Sequence, residues 1–184
     1  MARRISPAAA AIEAIREADD VSSGPGRGLM GASVPAGGMR SPAEAAAFGR
    51  EWAVVLADVP LFASLSKRHL RRVAKMASKV RFPARTVIVS PRRRADAFYV
   101  ILDGKAEVAT ATGDLIELGP GRFFGEMALL DSGPRSATVT TKTEMLAMSI
   151  SQRRFRELLE SEPKIAFPIM SELATRVRRL ETEA

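Results

Sequence analysis

One short segment of the chain, residues 124–138, combines acidic and basic side chains at a spacing that suits ligand binding. It reads FGEMALLDSGPRSAT, and Glu126 and Arg135 stand nine positions apart with mostly small and apolar residues between them. The planar guanidinium of Arg135 offers donors whose geometry matches a phosphate. A phosphate would repel the carboxylate of Glu126, which is better placed to accept a hydrogen bond from a neutral hydroxyl. The segment therefore predicts a site for a sugar phosphate with a free hydroxyl.

The neighbouring residues supply backbone and small-side-chain features that such a site needs. Gly125 lets the main chain approach a ligand closely, and the run EMALL predicts one helical turn with free N–H groups at its start. Pro134 stiffens the chain before the arginine. Ser136 adds a hydroxyl donor, and Ala137 keeps the wall of the site small.

The composition excludes several kinds of catalytic and metal site. The chain of 184 residues has no cysteine, so disulfides, thiol nucleophiles and thiolate metal sites are absent. His69 is the single histidine, which argues against zinc sites and histidine-based triads, and we interpret it as an ordinary surface residue. We therefore predict no metal and no enzymatic activity.

Neither a membrane span nor a signal peptide is indicated. No apolar run approaches the roughly 18–20 residues that a membrane span needs. Glu13, Arg16 and Glu17 interrupt the N-terminal region before a signal peptide can form. The sequence therefore predicts a cytoplasmic protein.

The formal net charge of +7 lies mostly after residue 50. A basic domain can attract nucleic acid, an anionic membrane or an anionic small ligand. A solvated surface is the simplest interpretation, and nucleic acid or an acidic partner is the alternative. One predicted helix carries five basic residues on a single face, namely Lys67, Arg68, Arg71, Arg72 and Lys75.

The chain divides into a tail and a domain. Residues 7–19 predict a short helix with Ile12 and Ile15 on one side, and a linker rich in Gly, Pro and Ser follows. We therefore expect a flexible, mostly disordered tail over residues 1–41 and a folded domain over residues 42–184.

Two helices are predicted at the start of the folded domain. Trp52 and Val55 recur at helical spacing before Pro60 stops the first helix. Ser66 is a candidate N-cap for the second helix.

Two further helices are predicted at the C-terminal end. Ser151 is a candidate N-cap for the first, which places Phe155 and Leu158 on one side. The final helix begins near Pro168, so a break or kink is expected at its start. It carries an apolar stripe of Ile169, Met170, Leu173, Val177 and Leu180.

Between these helices the hydrophobic period changes to that of short strands. Seven segments rich in Val, Ile, Thr and aromatic residues are separated mostly by Gly and Pro turn signals. The pair Asp103-Gly104 predicts a hairpin between the third and fourth strands. We predict a mainly β fold, an antiparallel β-roll with flanking helices and an embedded helical turn. The strand segments are VRF, TVIVS, AFYVIL, KAEVAT, DLIEL, SATVTT and EMLAMSI.

This set of motifs resembles the cyclic nucleotide-binding domain family, which includes the bacterial cAMP receptor protein and the regulatory subunit of protein kinase A. The Gly-Glu pair, the apolar turn and PRSA are together similar to the family's phosphate-binding cassette. The resemblance extends from about residue 56 to residue 180 and includes PLF, AFYVILDGKAEV and GPGRFFGE. It implies the family's β-roll, a double-stranded β-helix of jelly-roll type.

The resemblance also implies roles for residues of the cassette. Glu126 stands at the position that binds the ribose 2′-hydroxyl, and Arg135 at the position that pairs with the cyclic phosphate. Backbone donors at Gly125 and in the following turn fall where the family's main chain meets the ligand. Ser136 matches the position that helps set the purine preference. The implied ligand-binding set is Phe124, Gly125, Glu126, Met127, Ala128, Arg135, Ser136 and Ala137.

Besides Pro168 at the start of the last helix, the sequence departs from the family's pattern at two places. Residues 92–94 are three consecutive arginines where members usually have a Gly-Glu-type turn, and they form either a charged turn or a loop with its own partner. The last helix has no evident aromatic lid, and the candidates to cover the purine are Thr175, Arg176 and Arg179.

The resemblance implies a regulatory sensor of a cyclic nucleotide, with cAMP favoured and cGMP as the alternative. Its output would reach a separate protein effector through the tail or the last helix, which is also a candidate homodimer contact. Because no helix-turn-helix follows, we expect a stand-alone domain. The alternative functions are a basic nucleic-acid-binding protein, which we disfavour, and a structural or dimerisation module without a ligand.

Overall fold

The computed structural model describes residues 7–20, 42–91, 97–130, 133 and 137–183. Helices precede and follow two antiparallel β-sheets within these ranges. None of the helices found there is long and apolar enough to cross a membrane. The three arginines at residues 92–94 lie outside the described residues.

Three helices come first, and their starts follow the sequence signals. Ser66 is the N-cap of the third, as predicted, and its hydroxyl accepts a hydrogen bond from the backbone N–H of His69 at 3.3 Å. Trp52 and Val55 are buried, as their spacing predicts. The elements are α1 (Pro7–Asp20), α2 (Pro42–Ala57), a 3-10 turn (Pro60–Phe62) and α3 (Lys67–Ala74).

Helix α1 packs on the folded domain, which corrects the expectation of a flexible tail over residues 1–41 for residues 7–20. Ile12 and Ile15 are buried in the same apolar cluster as side chains of α2, and Ile15 is fully buried. The apolar side of α1 is buried against the domain, so the folded part includes this helix. The linker at residues 21–41 lies outside the described residues.

All seven predicted strands are present, and an eighth accompanies them. Strand β6 has no counterpart in the sequence prediction, because two residues are too few to show a period. It forms by pairing with β3, where Phe124 lies opposite Tyr99. The strands are β1 (Ser78–Phe82), β2 (Val87–Val89), β3 (Ala97–Asp103), β4 (Ala106–Thr110), β5 (Leu115–Leu118), β6 (Phe123–Phe124), β7 (Ala137–Thr141) and β8 (Met145–Ser151).

The strands form two four-stranded antiparallel sheets, ordered β1-β8-β3-β6 and β2-β7-β4-β5. Consecutive strands occupy matching positions in the two sheets: β1 with β2, β8 with β7, β3 with β4, and β6 with β5. Each of these pairs is joined by a connection of two to four residues, which bends from one sheet into the other. The result is the predicted jelly-roll-like β-roll.

Asp103 and Gly104 form such a bend rather than the predicted hairpin. Strand β3 pairs with β6 and β8, whereas β4 pairs with β5 and β7. Gly104 has a φ of 82°, and a Cβ atom there would collide with the carbonyl oxygen of Glu144. The backbone N–H of Lys142 donates to the carbonyl of Lys105 at 2.8 Å. Gly104 therefore adopts the positive φ that a turn signal predicts. It lies at a corner between the two sheets, beside the connection from β7 to β8, and not in a hairpin.

Strand β3 separates two apolar clusters, because successive side chains alternate between the faces of its sheet. Phe98 and Val100 lie in the cluster between this sheet and the helices, where Phe98 packs edge-on against Phe62 at 5.7 Å. Ile101 lies with Phe124 in the cluster between the two sheets. Both faces of the first sheet are therefore buried.

Polar contacts fix α1 to this β-roll. The Nζ of Lys79 donates to the carbonyl of Ile15 at 3.1 Å. The guanidinium of Arg16 lies 3.2 Å from a carboxylate oxygen of Asp103, at the end of β3. A helix far away in the sequence thus contacts both β1 and β3.

Two helices, α4 (Gln152–Ser161) and α5 (Ala166–Glu183), follow the sheets and are joined by a 3-10 turn at Pro163–Ile165. Ser151 caps α4 as predicted, by accepting a hydrogen bond from the backbone N–H of Arg154. Pro168 does not break α5. The helix begins two residues earlier, so the proline lies in the first turn, where a backbone N–H has no intrahelical partner.

Candidate functional site

A glycine with a left-handed backbone links β6 to the predicted helical turn. Gly125 has φ 81° and ψ 18°, and it precedes a 3-10 turn at Glu126–Leu129. A Cβ atom on this residue would lie 2.8 Å from the carbonyl oxygen of Ala97 on β3. Both the conformation and the close approach require glycine, so the sequence signal for a tight backbone is confirmed here.

The 3-10 turn is anchored from below by an apolar side chain. Leu129 is fully buried in the cluster between the first sheet and the helices. The backbone N–H of Leu130 donates to the carbonyl of Met127 at 3.0 Å, which closes the turn. The turn packs against β3 and α4. Glu126 and Met127 are therefore presented at the surface from a rigid base.

Glu126 and Met127 differ in exposure. Glu126 is half-buried, whereas Met127 is exposed. A half-buried carboxylate on a fixed turn is suited to accept a hydrogen bond from a ligand hydroxyl. Ala128 contributes the backbone of the same turn.

An aromatic stack supports the start of the cassette. The rings of Tyr99 and Phe124 stack with centroids 5.1 Å apart, and Phe82 packs edge-on against Tyr99 at 5.7 Å. Phe124 is buried in the cluster between the two sheets. Phe124 was among the predicted ligand-binding residues. Its side chain lies in the core and holds the backbone of β6 in place.

Two central residues of the predicted site, Arg135 and Ser136, lie outside the described residues. Ala137 follows them as the first residue of β7 and lies opposite Thr110 of β4. Because side chains alternate along a strand, Ala137 shares a face with Val139, which lies in the cluster between the sheets. The described chain therefore resumes on the inner face of the second sheet.

The same inner face carries apolar residues that the sequence prediction omits. Val108 lies opposite both Val139 and Ile116 in the strand register. Ile116 lies two residues before the buried Leu118 and therefore on the same face of β5, yet 47% of its surface is exposed. These side chains provide an accessible apolar wall on the face that carries Ala137. Period-two alternation marks them as inward-facing, but only the pairing register shows that they are neighbours.

The candidate lid residues are described only in part. Thr175 is exposed on α5, and its hydroxyl donates to the carbonyl of Ser171 at 3.0 Å, within its own helix. The side chains of Arg176 and Arg179 lie outside what the structure describes. The apolar stripe divides, since Ile169 is buried and Met170 is 56% exposed. Met170 is therefore not covered by the domain itself.

The described residues contain no cluster of three or more His, Cys, Asp or Glu side chains that is arranged to hold a metal ion. Glu126 and the amides of its turn offer hydrogen bonding, and the inner face of the second sheet offers apolar contact. Each of these suits reversible binding of a small polar ligand.

Comparison with known proteins points to one family. Residues 79–162 match the model of the cyclic nucleotide-binding domain. This range contains all eight strands, the 3-10 turn after β6, and α4.

Two curated relatives share sequence with this region. A cyclic nucleotide-gated potassium channel of Mesorhizobium japonicum is 36% identical over 143 residues, which cover 77% of this chain and 39% of the channel. A CRP-like cAMP-activated global transcriptional regulator of Mycobacterium tuberculosis is 28% identical over 130 residues, which cover 68% of this chain and 58% of the regulator. The chain thus spans less than two thirds of the length of either relative.

A solved structure has the same fold. The N-terminal domain of a transcriptional regulator from Streptomyces coelicolor superposes with a TM-score of 0.62 at 26% sequence identity. The match covers 71% of this chain and 94% of that domain.

Proposed function

Since the chain contains a domain of the cyclic nucleotide-binding family, we propose that it binds cAMP through the cassette at residues 124–137 and acts as a regulatory sensor for a separate effector. The named relatives are a channel and a transcriptional regulator, in which such a domain belongs to a regulated protein.

The backbone at Gly125 is the observation that carries this proposal. Its left-handed conformation and its contact with Ala97 fix the direction in which the chain leaves β6. The following turn then presents the carboxylate of Glu126 half-buried. A cassette that had lost its ligand would have no need to keep the half-buried carboxylate and the downstream arginine together.

The two charged residues of the cassette, Glu126 and Arg135, each have one proposed contact. Glu126 accepts a hydrogen bond from the ribose 2′-hydroxyl, and Arg135 pairs with the cyclic phosphate through its planar guanidinium. The backbone amides of the turn donate to the phosphate side of the ligand. Val108 and Ile116 offer apolar contact to the sugar or the base.

We favour cAMP over cGMP because the regulator from Mycobacterium tuberculosis is described as cAMP-activated. Ser136 is the proposed contact that influences the choice of purine. Titration calorimetry with both nucleotides decides between them, and 5′-AMP serves as the control that lacks the cyclic phosphate.

The proposed signal is a shift between two positions of the C-terminal helix. A ligand can change this equilibrium only by the difference in its affinity for the two states. Thr175, Arg176 and Arg179 are the residues proposed to cover the purine. An arginine that stacks on the base would favour the closed position by a cation–π contact.

A thermodynamic cycle of two ligands and two proteins tests the role of Glu126 and with it the whole proposal. The ligands are cAMP and 2′-deoxy-cAMP, and the proteins are wild type and Glu126→Ala. In wild type, 2′-deoxy-cAMP should bind more weakly than cAMP by about 1.5–3 kcal/mol, the range for a hydrogen bond to a charged group. In Glu126→Ala both ligands should bind alike and weakly. Glu157→Ala, which removes an exposed carboxylate on α4, is the matched control and should leave both affinities unchanged. Equal losses on removing the hydroxyl in wild type and in Glu126→Ala would contradict the assignment.

A dimerisation module is the second candidate, and one observation favours it. Phe167 is 74% exposed and Met170 is 56% exposed, and both lie in the first two turns of α5. Exposed apolar side chains this close together are typical of contact surfaces. Sedimentation of wild type and of Phe167→Ser, with and without cAMP, tests whether a second copy covers them.

A further inference from the structure

The positive charge of this chain comes from one continuous segment. Residues 59–95 contain eleven Lys or Arg and no Asp or Glu. This excess is larger than the formal net charge of +7, so the remainder of the chain is net negative. Helix α3 lies within this segment.

Helix α3 divides its residues strictly between an apolar and a basic face. Leu70, Val73 and Ala74 are buried in the cluster under the first sheet. Every Lys and Arg side chain of the helix and of its C-cap is exposed. We name these residues the α3 stripe: Lys67, Arg68, Arg71, Arg72 and Lys75. No acidic residue lies on this helix.

The α3 stripe keeps most of its charge. Within the described residues, Arg72 is its one member with an ion-pair partner, the carboxylate of Glu162. Several other surface cations pair with neighbouring carboxylates: Lys105 and Lys142 pair with carboxylates of the second sheet, and Arg153 pairs within α4. Four like charges on two helical turns repel one another and lower stability slightly. Such a stripe gains most when an anionic partner covers it.

The spacing of the stripe has a helical complement. Lys67, Arg71 and Lys75 recur every four residues, which corresponds to a rise of about 6 Å per step. A second α-helix with Asp or Glu at every fourth position presents carboxylates at the same interval. Arg68 and Arg71 add planar guanidinium groups that can bind a carboxylate through two hydrogen bonds.

We propose that the α3 stripe is the docking surface for an acidic α-helical segment of a partner protein. The stripe matches such a segment in charge and in period. The surface is formed by α3 and not by the cassette, so the proposal holds with or without a nucleotide in the site.

A lipid surface suits this helix less well. Helices that bind at a membrane interface bury an apolar face among the lipids. The apolar face of α3 is already covered by the core, so only its cations are available. An anionic bilayer would attract these cations without regard to their helical period.

A nucleic acid also suits it less well, because a carboxylate lies at one edge of the stripe. Helix α4 contacts the turn that follows α3, where the Arg154 guanidinium donates to the carbonyl of Met76 at 3.4 Å. Glu162, the residue after α4, pairs with Arg72 of the stripe. A phosphate backbone that continued past the short stripe on this side would meet this carboxylate, whereas a short acidic segment can end before it.

The test uses the full chain and three peptides held helical by a covalent staple. The first peptide carries Glu at every fourth position of an alanine-based sequence, the second carries Gln in place of Glu, and the third carries the same number of Glu spaced five apart. Binding is measured by fluorescence anisotropy at low salt. We expect the first peptide to bind, the second not to bind, and the third to bind less tightly, because its carboxylates are distributed around the helix.

Two variants assign the binding to the stripe. Arg68→Glu combined with Arg71→Glu replaces two attractions with two repulsions and should weaken binding by roughly fourfold to several-hundred-fold, the range for exposed ion pairs. Arg178→Glu reverses an exposed cation on α5 and is the matched control, which should bind as wild type. Circular dichroism of the double variant should be unchanged, since both side chains are exposed.

Four results would overturn the proposal. Tighter binding of duplex DNA than of the first peptide, lost in the double variant, would assign the stripe to nucleic acid. The same pattern with vesicles that contain phosphatidylserine would assign it to a membrane. Absence of peptide binding at low salt, or equal binding of the first and third peptides, would leave a solvated basic face without a helical partner.

Discussion

Gly125 and Ala97 approach so closely that no side chain fits between them: a Cβ atom on residue 125 would stand 2.8 Å from the carbonyl oxygen of residue 97. This contact ties the start of the cassette turn to the first residue of β3. It therefore couples the geometry of the proposed ligand site to the packing of the first sheet.

Gly125→Ala should consequently lower both stability and nucleotide affinity. The left-handed backbone costs a residue with a side chain roughly 1–2 kcal/mol, and the contact with Ala97 adds a displacement of β6. Gly113→Ala is the matched control, because Gly113 has a φ of 90° and nothing within 4 Å of the added Cβ atom. Urea unfolding should show the larger loss for Gly125→Ala, and calorimetry should show weakened cAMP binding for this variant alone. Equal unfolding free energies for the two variants would refute the tight contact.

Arg135→Ala should weaken cyclic nucleotide binding severely. Removing one partner of a charge pair costs on the order of 2–5 kcal/mol, which corresponds to roughly 30- to several-thousand-fold in affinity. Arg135→Lys keeps the charge but not the planar donors, so its loss should be intermediate. Arg122→Ala, which removes an exposed arginine just before β6, serves as the control in calorimetry. An affinity of Arg135→Ala within threefold of wild type would exclude the proposed phosphate contact.

Ile15→Ala should destabilise the whole domain, although Ile15 lies outside the predicted domain boundary. It is fully buried, and removing such a side chain typically costs 2–5 kcal/mol. The single tryptophan, Trp52, is buried in the same cluster and reports unfolding by fluorescence. Glu13→Ala changes an exposed residue of the same helix and should alter the unfolding free energy by less than about 0.5 kcal/mol. If Ile15→Ala had no larger effect than this control, α1 would not be docked in solution.

The helix periods and strand alternation could be predicted from sequence because they are local. Ile12 and Ile15 indicate a helix with an apolar side, but where that helix docks also depends on residues such as Lys79 and Asp103, more than 60 positions away. No local pattern carries that information. The expectation of a tail is therefore wrong for residues 7–20, although the helix itself was correctly predicted.

The Asp103-Gly104 pair shows the same limit. The glycine does adopt the positive φ that a turn signal predicts, but Lys105 forms its hydrogen bonds with Lys142 and Thr143, in the connection from β7 to β8. In the site, the Gly125 turn follows from the residue types alone. The neighbouring positions of Val108 and Ile116 depend on pairing register, which the sequence does not specify.

Glu117 should titrate at a lower pH than an ordinary glutamate. Hydrogen bonds from Lys105 and then from Lys142 lower the pKa of its carboxyl group. Its contribution to stability is therefore present at pH values above the usual glutamate pKa of about 4.3 and is lost as the pH falls through the lowered pKa. The group is exposed, so salt should reduce the effect.

Carbon-detected NMR titration of the Glu117 side chain measures this directly. Lys105→Met should move the midpoint upward towards that of an ordinary glutamate, and high salt should do the same in wild type. A midpoint that did not respond to Lys105→Met would show that this lysine does not hold the carboxylate in solution.

The last prediction concerns which part of α5 responds to ligand. Ile169 is buried and Leu173 is half-buried, so the first turns are fixed to the core, whereas Ala174 and Thr175 are exposed. If the helix closes over the purine, cAMP should increase amide protection after residue 173 and leave the first turns unchanged. Truncation after Glu172 should then lower cAMP affinity by about 1–2 kcal/mol for one lost stacking contact, and spare the cassette contacts. Hydrogen exchange with and without cAMP measures the first effect and calorimetry the second. Equal protection along the whole helix in both states, with binding confirmed, would show that α5 is a fixed part of the core and not a lid.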